Sequence, residues 1–320
     1  MDLPTLQTWR TTCVVADRVV SSFLQACYHN ALSSHFIDVA GFRAVLRATG
    51  AVVSGSAALR TLDRNRAHGW RSNDVDVYTP VHQTERIIRY INEVEGYYAL
   101  EASEPYAHYS VSGYMQVFRY RNADGAHIDV VQSYTHSAIF PIPFFWSSHV
   151  MNYMTADAFC VAYPVHTLQG RGLMSPVALL DDQHAHDPTL AVMHKYRSRG
   201  YDFRLYTHAW TADATTECSQ SANEGCPRTI RFFGDRYCLI GSFGTVSETV
   251  QSTECRAQPD KTRLVRWWRG GNACGGNCRH THPGTIRTLP HVGTHRVNPE
   301  FFDTLVRGRV RRDSWDEYTV

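Results

Sequence analysis

The run Asn73-Asp74-Val75-Asp76-Val77-Tyr78 leaves the chain little conformational choice. Acidic and apolar residues alternate with period two, and a β-strand is the element that sends such residues to opposite faces. Val75 and Val77 then face a core, while Asp74 and Asp76 stand side by side on the other face. Pro80 ends the run, since it cannot donate to a strand ladder. A second alternating pair, "YSVSGYMQVFRYR" and "AHIDVVQS", flanks Asn122-Ala123-Asp124-Gly125, which reads as a hairpin.

Around these runs the periodicity changes to helical. Residues 5 to 48 repeat apolar side chains every three or four positions, with Val15, Val19, Phe23 and Ala26 or Cys27 as one stripe. "IDVAGFRAVLRATG" stops at Gly50. "AVVSG" reads as a short buried strand, and "SAALRTL" as a helix opening at the Gly55-Ser56 turn. "NRAHGWRSN" is a loop, and "TERIIRYINEVEGY" an amphipathic helix with Ile87, Ile88, Ile91 and Val94 on one side. The expected fold class is α/β (α+β), a short mixed sheet with flanking helices over residues 1–147. A segment read as mostly helical follows over 148–210, including "HVMNYMTADAFCVAYP". A Cys/Gly-rich, locally basic region over 211–320 completes the chain, with strands expected in "IRFFGDRYCLIGSFG" and "TRLVRWWRG".

Two carboxylates side by side repel unless a cation bridges them, and Mg²⁺ takes oxygen ligands of this kind. Asp129, between Ile128 and Val130, is a poor strand residue in an apolar setting. If its strand pairs beside "DVDVY", three carboxylates share one face. Such a set can hold two divalent ions ~3.5–4 Å apart for phosphoryl transfer. A helix opening at Gly55-Ser56 points free N–H groups at whatever sits above the turn, an anion site.

Gly55-Ser56, then Asp74 and Asp76 between apolar residues, then Asp129 between apolar residues, resembles the polymerase-beta-type nucleotidyltransferase superfamily over about residues 45–135. Over a longer stretch, to about residue 240, "VVSGSAAL", "SNDVDVYTP", "HVMNYMTADAFCVAYP" and "KYRSRGYDF" resemble nucleotidyltransferase-like proteins of mushroom-forming fungi. The gap between Gly-Ser and Asp-x-Asp is longer than usual in that superfamily, with "DRNRAHGWR" inserted. The resemblance implies an NTP, most simply ATP, held by Gly55 and Ser56. It also implies two Mg²⁺ ions on Asp74, Asp76 and Asp129, with Asp129 helping to activate an acceptor hydroxyl. In-line attack on the α-phosphorus would transfer NMP and release pyrophosphate.

Lys195 in "MHKYRSRGY" is a candidate for the β- or γ-phosphate, against a solvated helix face. Arg60 and Arg71 flank the site in sequence. Tyr196 and Tyr201 are candidates for base stacking, against core packing. Of nine cysteines, Cys13, Cys27 and Cys160 sit in apolar settings and read as core. Cys218, Cys226, Cys238, Cys255, Cys274 and Cys278 crowd the last third. Cys274, Cys278, His280 and His282 offer a structural Zn²⁺ site, although the two histidines are closer than is usual; buried free thiols are the alternative. His184 and His186 in "DDQHAHD" form a weaker metal cluster.

The formal net charge of +2 gives no global pull toward nucleic acid. Locally, residues 256–312 carry twelve Lys/Arg against three acids, interleaved with Trp267 and Trp268. That surface suits RNA or another polyanionic acceptor, or is a solvated face. No signal pattern opens the sequence, and no run approaches the ~20 apolar residues that span a bilayer. A cytoplasmic or nuclear protein without a membrane partner is expected. Two functions stand: an Mg²⁺-dependent nucleotidyltransferase with an unidentified acceptor, or a catalytically silent relative whose basic Cys-rich tail binds nucleic acid or protein.

Overall fold

The computed structural model describes residues 1–100, 113–175, 180–181, 184–185, 187–210, 224–227, 229–245, 265–267 and 269. These divide into two compact units, the first comprising residues 1–142, 150–162 and 238–265 and the second the remainder.

The first unit begins with helices α1 (Leu3–Arg10), α2 (Val14–Leu32) and α3 (Val39–Thr49), capped at their N-termini by Asp2, Cys13 and Asp38. Gly50, the helix stop expected from the sequence, ends α3 as a left-handed C-cap at φ 67°. The buried stripe of α2 is Ala16, Val20, Leu24 and Tyr28, and Val15 and Val19 are exposed. The stripe lies one residue from the predicted one. α2 is apolar on two faces, and Asp17 selects between them by pairing with the buried Arg10 at 2.8 Å. Arg10 also donates to the carbonyls of Ser242 and Gly244. Cys13, expected in the core, is exposed, its sulfur accepting from the Ala16 N–H as the cap of α2.

The sheet of this unit holds eight strands. They are β1 (Val52–Ser54), β2 (Asp74–Thr79), β3 (Tyr98–Ala99), β4 (Tyr114–Arg121), β5 (His127–Ser133), β6 (Asn152–Met154), β7 (Ala158–Val161) and β13 (Leu239–Ser242), the numbers 8 to 12 falling in the second unit. The order across the sheet is β13-β7-β6-β1-β2-β5-β4-β3. β2 and β5 are parallel and every other pair is antiparallel, so the mixed sheet is as expected. α4 (Gly55–Leu62) follows β1 directly, and α5 (Thr84–Glu93) buries Ile87 and Ile91. Val94, placed on the apolar side of α5 by periodicity, caps it and is exposed.

Residues 152–161, read as helix from the sequence, form the β6–β7 hairpin instead. Phe159 and Val161 are buried on one side of β7, but Cys160 between them is buried too. A strand covered on both faces shows no alternation, and periodicity alone does not separate it from a buried helix.

The second unit contains three two-stranded ladders: β8 (Arg171–Leu173) with β11 (Asp202–Arg204), β9 (Leu180–Asp181) with β10 (His184–Ala185), and β12 (Arg231–Phe232) with β14 (Arg266–Trp267). The helix Asp187–Ser198 falls within the stretch read as mostly helical, but Asp202–Arg204 in the same stretch is strand β11, not helix. Its core includes the His149 ring against Trp146, Tyr196, Tyr201 and Phe203. Tyr196 and Tyr201 are therefore packing residues, buried to 4% and 3% exposure. Burial holds the His149 imidazole well below its usual pKa, and hence neutral. Trp267, read as part of a stacking surface, is buried against Phe233, its indole N–H donating to the Tyr163 hydroxyl at 2.9 Å. No helix among the described residues is long and apolar enough to cross a membrane.

Candidate active site

The site grows from the alternation of β2 and β5. Val75, Val77, Ile128 and Val130 are fully buried on one face. The other face of each strand therefore carries Asp74 and Asp76, and His127 and Asp129. The parallel register sets Asp76 opposite Asp129 and Asp74 opposite His127. Neighbouring strands lie about 4.8 Å apart, so Asp76 and Asp129 are adjacent. β4 extends both rows with a cation, Arg119 opposite Asp129 and Arg121 opposite His127. The three aspartates picked out in the sequence thus share one sheet face.

Gly55 supplies the edge of the site. It has φ 63°, a conformation that L side chains rarely adopt, and opens α4 immediately after β1. A Cβ at Gly55 would collide with Oδ2 of Asp76. Two independent constraints therefore require glycine, and the second places the Asp76 carboxylate against the first turn of α4. The positive end of a helix favours an anion there.

Ser56 is buried. Its hydroxyl is hydrogen-bonded to the Ser72 hydroxyl and lies 3.2 Å from Oδ1 of Asp74. Ser72 Oγ also donates to the Asp74 backbone carbonyl at 2.7 Å. Ser56, the phosphate candidate of the sequence, thus has its hydroxyl beside the Asp74 carboxylate. Asp129 has a longer-range partner, with Arg119 Nε 4.0 Å from its Oδ2. Burial pushes the Asp129 carboxyl above its ordinary pKa; Arg119 opposes this, and the charge of Asp74 adds to it.

Four residues near the carboxylates escaped the sequence reading: His35, Ser72, Arg119 and His127. For His127 and Arg119 a signal existed, since each falls on the Asp129 face by strand alternation or cross-strand register. His35 comes from the turn after α2 and had none. It is buried, which lowers its pKa, while a backbone hydrogen bond with Asn73 and the Asp74 charge oppose the shift.

The donor set suits a hard divalent cation by chemistry, being carboxylate oxygens on one face. The rotamers do not close around one: among the described residues no three His, Cys, Asp or Glu side chains converge closely enough to hold a metal ion. Asp76 faces Gly55, Asp74 faces the serines and Asp129 faces Arg119. Lys195 is exposed on the second unit. Arg60 donates through Nε to the Trp70 carbonyl at 2.9 Å. Cys226 is buried and Cys238 half-buried. Cys218, Cys255, Cys274, Cys278, His186, Trp268, His280 and His282 lie outside the described residues, as does the side chain of His184. The chain matches no protein family, and no curated protein or solved structure is similar to it.

Proposed function

We propose that the chain is a divalent-cation-dependent nucleotidyltransferase of the polymerase-beta type, moving NMP from an NTP to a hydroxyl acceptor with loss of pyrophosphate. The observation that carries this reading is the register of Asp76 beside Asp129, with Asp74 two residues away on the same face and a helix opening at Gly55 against Asp76. Mg²⁺ bound there would neutralise charge on the triphosphate and at the entering and leaving oxygens. The chain's own part is positioning. β2 and β5 hold Asp74, Asp76 and Asp129 as ligands, with small side-chain rotations away from their present partners. The raised pKa of Asp129 suits a carboxylate that takes the acceptor's proton. Asp74 and Asp76 act as ligands only.

The test is calorimetric titration of ATP with and without Mg²⁺, followed by transfer of labelled α-phosphate. Mg²⁺-dependent binding by the wild type, lost in Asp74→Asn/Asp76→Asn, supports the proposal; a wild type that binds no NTP with Mg²⁺ overturns it.

A second reading, a silent fold that serves as a binding module, draws support from the Ser56 hydroxyl and the three carboxylates all facing protein groups. It predicts that partner capture survives the aspartate substitutions and is lost on removing residues after about 210.

A further inference from the structure

At the ends of β2 and β5 remote from Asp74, the turns that leave the two strands are cross-linked. The Val81 N–H donates to the Thr135 carbonyl at 3.0 Å, and the Gln132 side-chain amide donates to the Val81 carbonyl at 3.1 Å. From Asp74 to Thr79 the strand covers about 16 Å. Each turn beyond it carries one histidine, His82 and His136, and their Nδ1 atoms lie 3.0 Å apart. The ring planes are inclined at 55° with centroids 4.9 Å apart. The rings therefore meet at their nitrogens and do not stack face to face.

Packing does not require this pairing. Both residues are exposed, and water would satisfy either ring, whereas a buried polar group needs a partner in the protein. For the contact to hold, one nitrogen carries a proton and the other a lone pair. A metal ion takes the place of that proton when both imidazoles offer lone pairs. The separation has the right size. With Zn–N bonds of about 2.0–2.1 Å, two nitrogens stand about 2.9 Å apart at a right angle and about 3.3 Å apart at a tetrahedral one. A small rotation of each ring turns the lone pairs from each other toward a common point. Imidazole pairs select a borderline transition metal over Mg²⁺ or Ca²⁺, which take oxygen ligands.

We propose that His82 and His136 form a Zn²⁺ site bridging the turns after β2 and β5. The ion takes one Nδ1 from each ring, and each ring keeps its proton on Nε2. Among the described residues no third His, Cys, Asp or Glu side chain joins them. Water or a donor atom of a bound molecule fills the remaining positions, as at Zn²⁺ sites that keep an open position. The site is distinct from the carboxylate face proposed for Mg²⁺ and needs no nucleotide.

The test counts Zn²⁺ bound to the full chain in equilibrium dialysis, for the wild type, His82→Gln, His136→Gln and the double variant. Each single substitution should weaken one site at least tenfold, so that the variant holds one equivalent fewer at the free Zn²⁺ that just fills the wild type. The double variant should lose that same equivalent and no more, because both ligands serve one ion. The candidate Zn²⁺ ligands of the C-terminal region are common to all four proteins and cancel in the comparison. Excess Mg²⁺ should leave the difference unchanged. Asp74→Asn/Asp76→Asn should bind Zn²⁺ at this site as the wild type does, which separates it from the carboxylates. Both histidines are exposed, so the metal-free melts should match; if one variant melts early, the other, on a separate turn, carries the comparison with the wild type. Equal Zn²⁺ binding by all four proteins overturns the inference, as do losses that add in the double variant. Displacement by Mg²⁺, or loss of the equivalent in the aspartate variant, overturns it equally.

Discussion

Charge is handled in opposite ways in the two units. In the second, the buried Arg231 meets an opposite charge, while the buried Arg269 is held by backbone carbonyls. Arg231 and Asp235 pair at 2.5 Å, and the His166 ring is hydrogen-bonded to Glu224. On the carboxylate face of the first, Asp76 and Asp129 are neighbours by register, with Asp74 beside them and a half-exposed Arg119 as the nearest cation to Asp129. Burial alone would raise the Asp235 carboxyl. The Arg231 hydrogen bond and charge, with the N–H groups of Phe232 and Tyr237, outweigh it and hold the group below its usual value. Asp129 goes the other way. Pairing of the first kind explains itself as structure, whereas crowding of like charges calls for a cation or a role beyond stability.

The contrast is tested most severely at Asp235. Asp235→Ala leaves the fully buried Arg231 without its carboxylate, and removing one partner of a buried pair costs about 3–5 kcal/mol. Chemical denaturation should show the second unit unfolding early. Because the folded pKa is depressed, the wild-type contribution is complete above the unfolded carboxylate range and is lost as pH falls through the folded value. The variant should therefore lose its disadvantage in strong acid.

Next in size is Gly55→Ala. The left-handed backbone costs about 1–2 kcal/mol and the collision with Asp76 about 1–3 kcal/mol more. Adding Asp76→Ala should recover the second part and leave the first. If the double variant is no more stable than the single one, Asp76 is not packed against the start of α4.

Asp129→Asn should move stability upward. A like charge directly across a strand pair costs about 0.2–1 kcal/mol, and the substitution removes it near neutral pH. The sign follows from the raised pKa: the wild-type penalty is complete above the folded value, shrinks as pH falls below it and is gone below the unfolded value. The two proteins should then melt alike in acid. Mg²⁺ should raise the melting temperature of the wild type more than that of the variant; an equal shift would remove Asp129 from the ligand set.

These expectations show how far the sequence could be read. The strand alternation of Asp74 to Val77 and of His127 to Val131 was visible because each strand has one buried and one polar face. The pairing of β2 with β5 was conditional in the sequence and became definite only in the fold. The site's supports were not visible, since the Ser72 hydroxyl, the buried His35 and the Gly55 contact depend on residues brought together by packing. The β6–β7 hairpin was misread for want of alternation, and the face of α2 because both of its faces are apolar and hydropathy does not choose between them.

The smallest effect asks whether pairing alone, without burial, accounts for the stability of opposite charges. On the first unit Arg47 holds Asp157 through two guanidinium nitrogens, Nε at 2.7 Å, and Arg43 adds a contact at 3.4 Å. The Arg47 hydrogen bond lowers the Asp157 pKa despite partial burial. Both side chains are more than a third exposed on average, so screening reduces the gain to about 0.5 kcal/mol. Asp157→Asn should cost that much near pH 7 and at low salt, and less in 1 M salt, where the Debye length is about 3 Å. The wild-type advantage should be complete above the ordinary carboxylate range and fade as pH falls through the lowered pKa. If Asp157→Asn costs as much as Asp235→Ala, then geometry outweighs burial in this protein. The crowding of Asp129 with its neighbours would then weigh on the fold more heavily than its half-buried position implies.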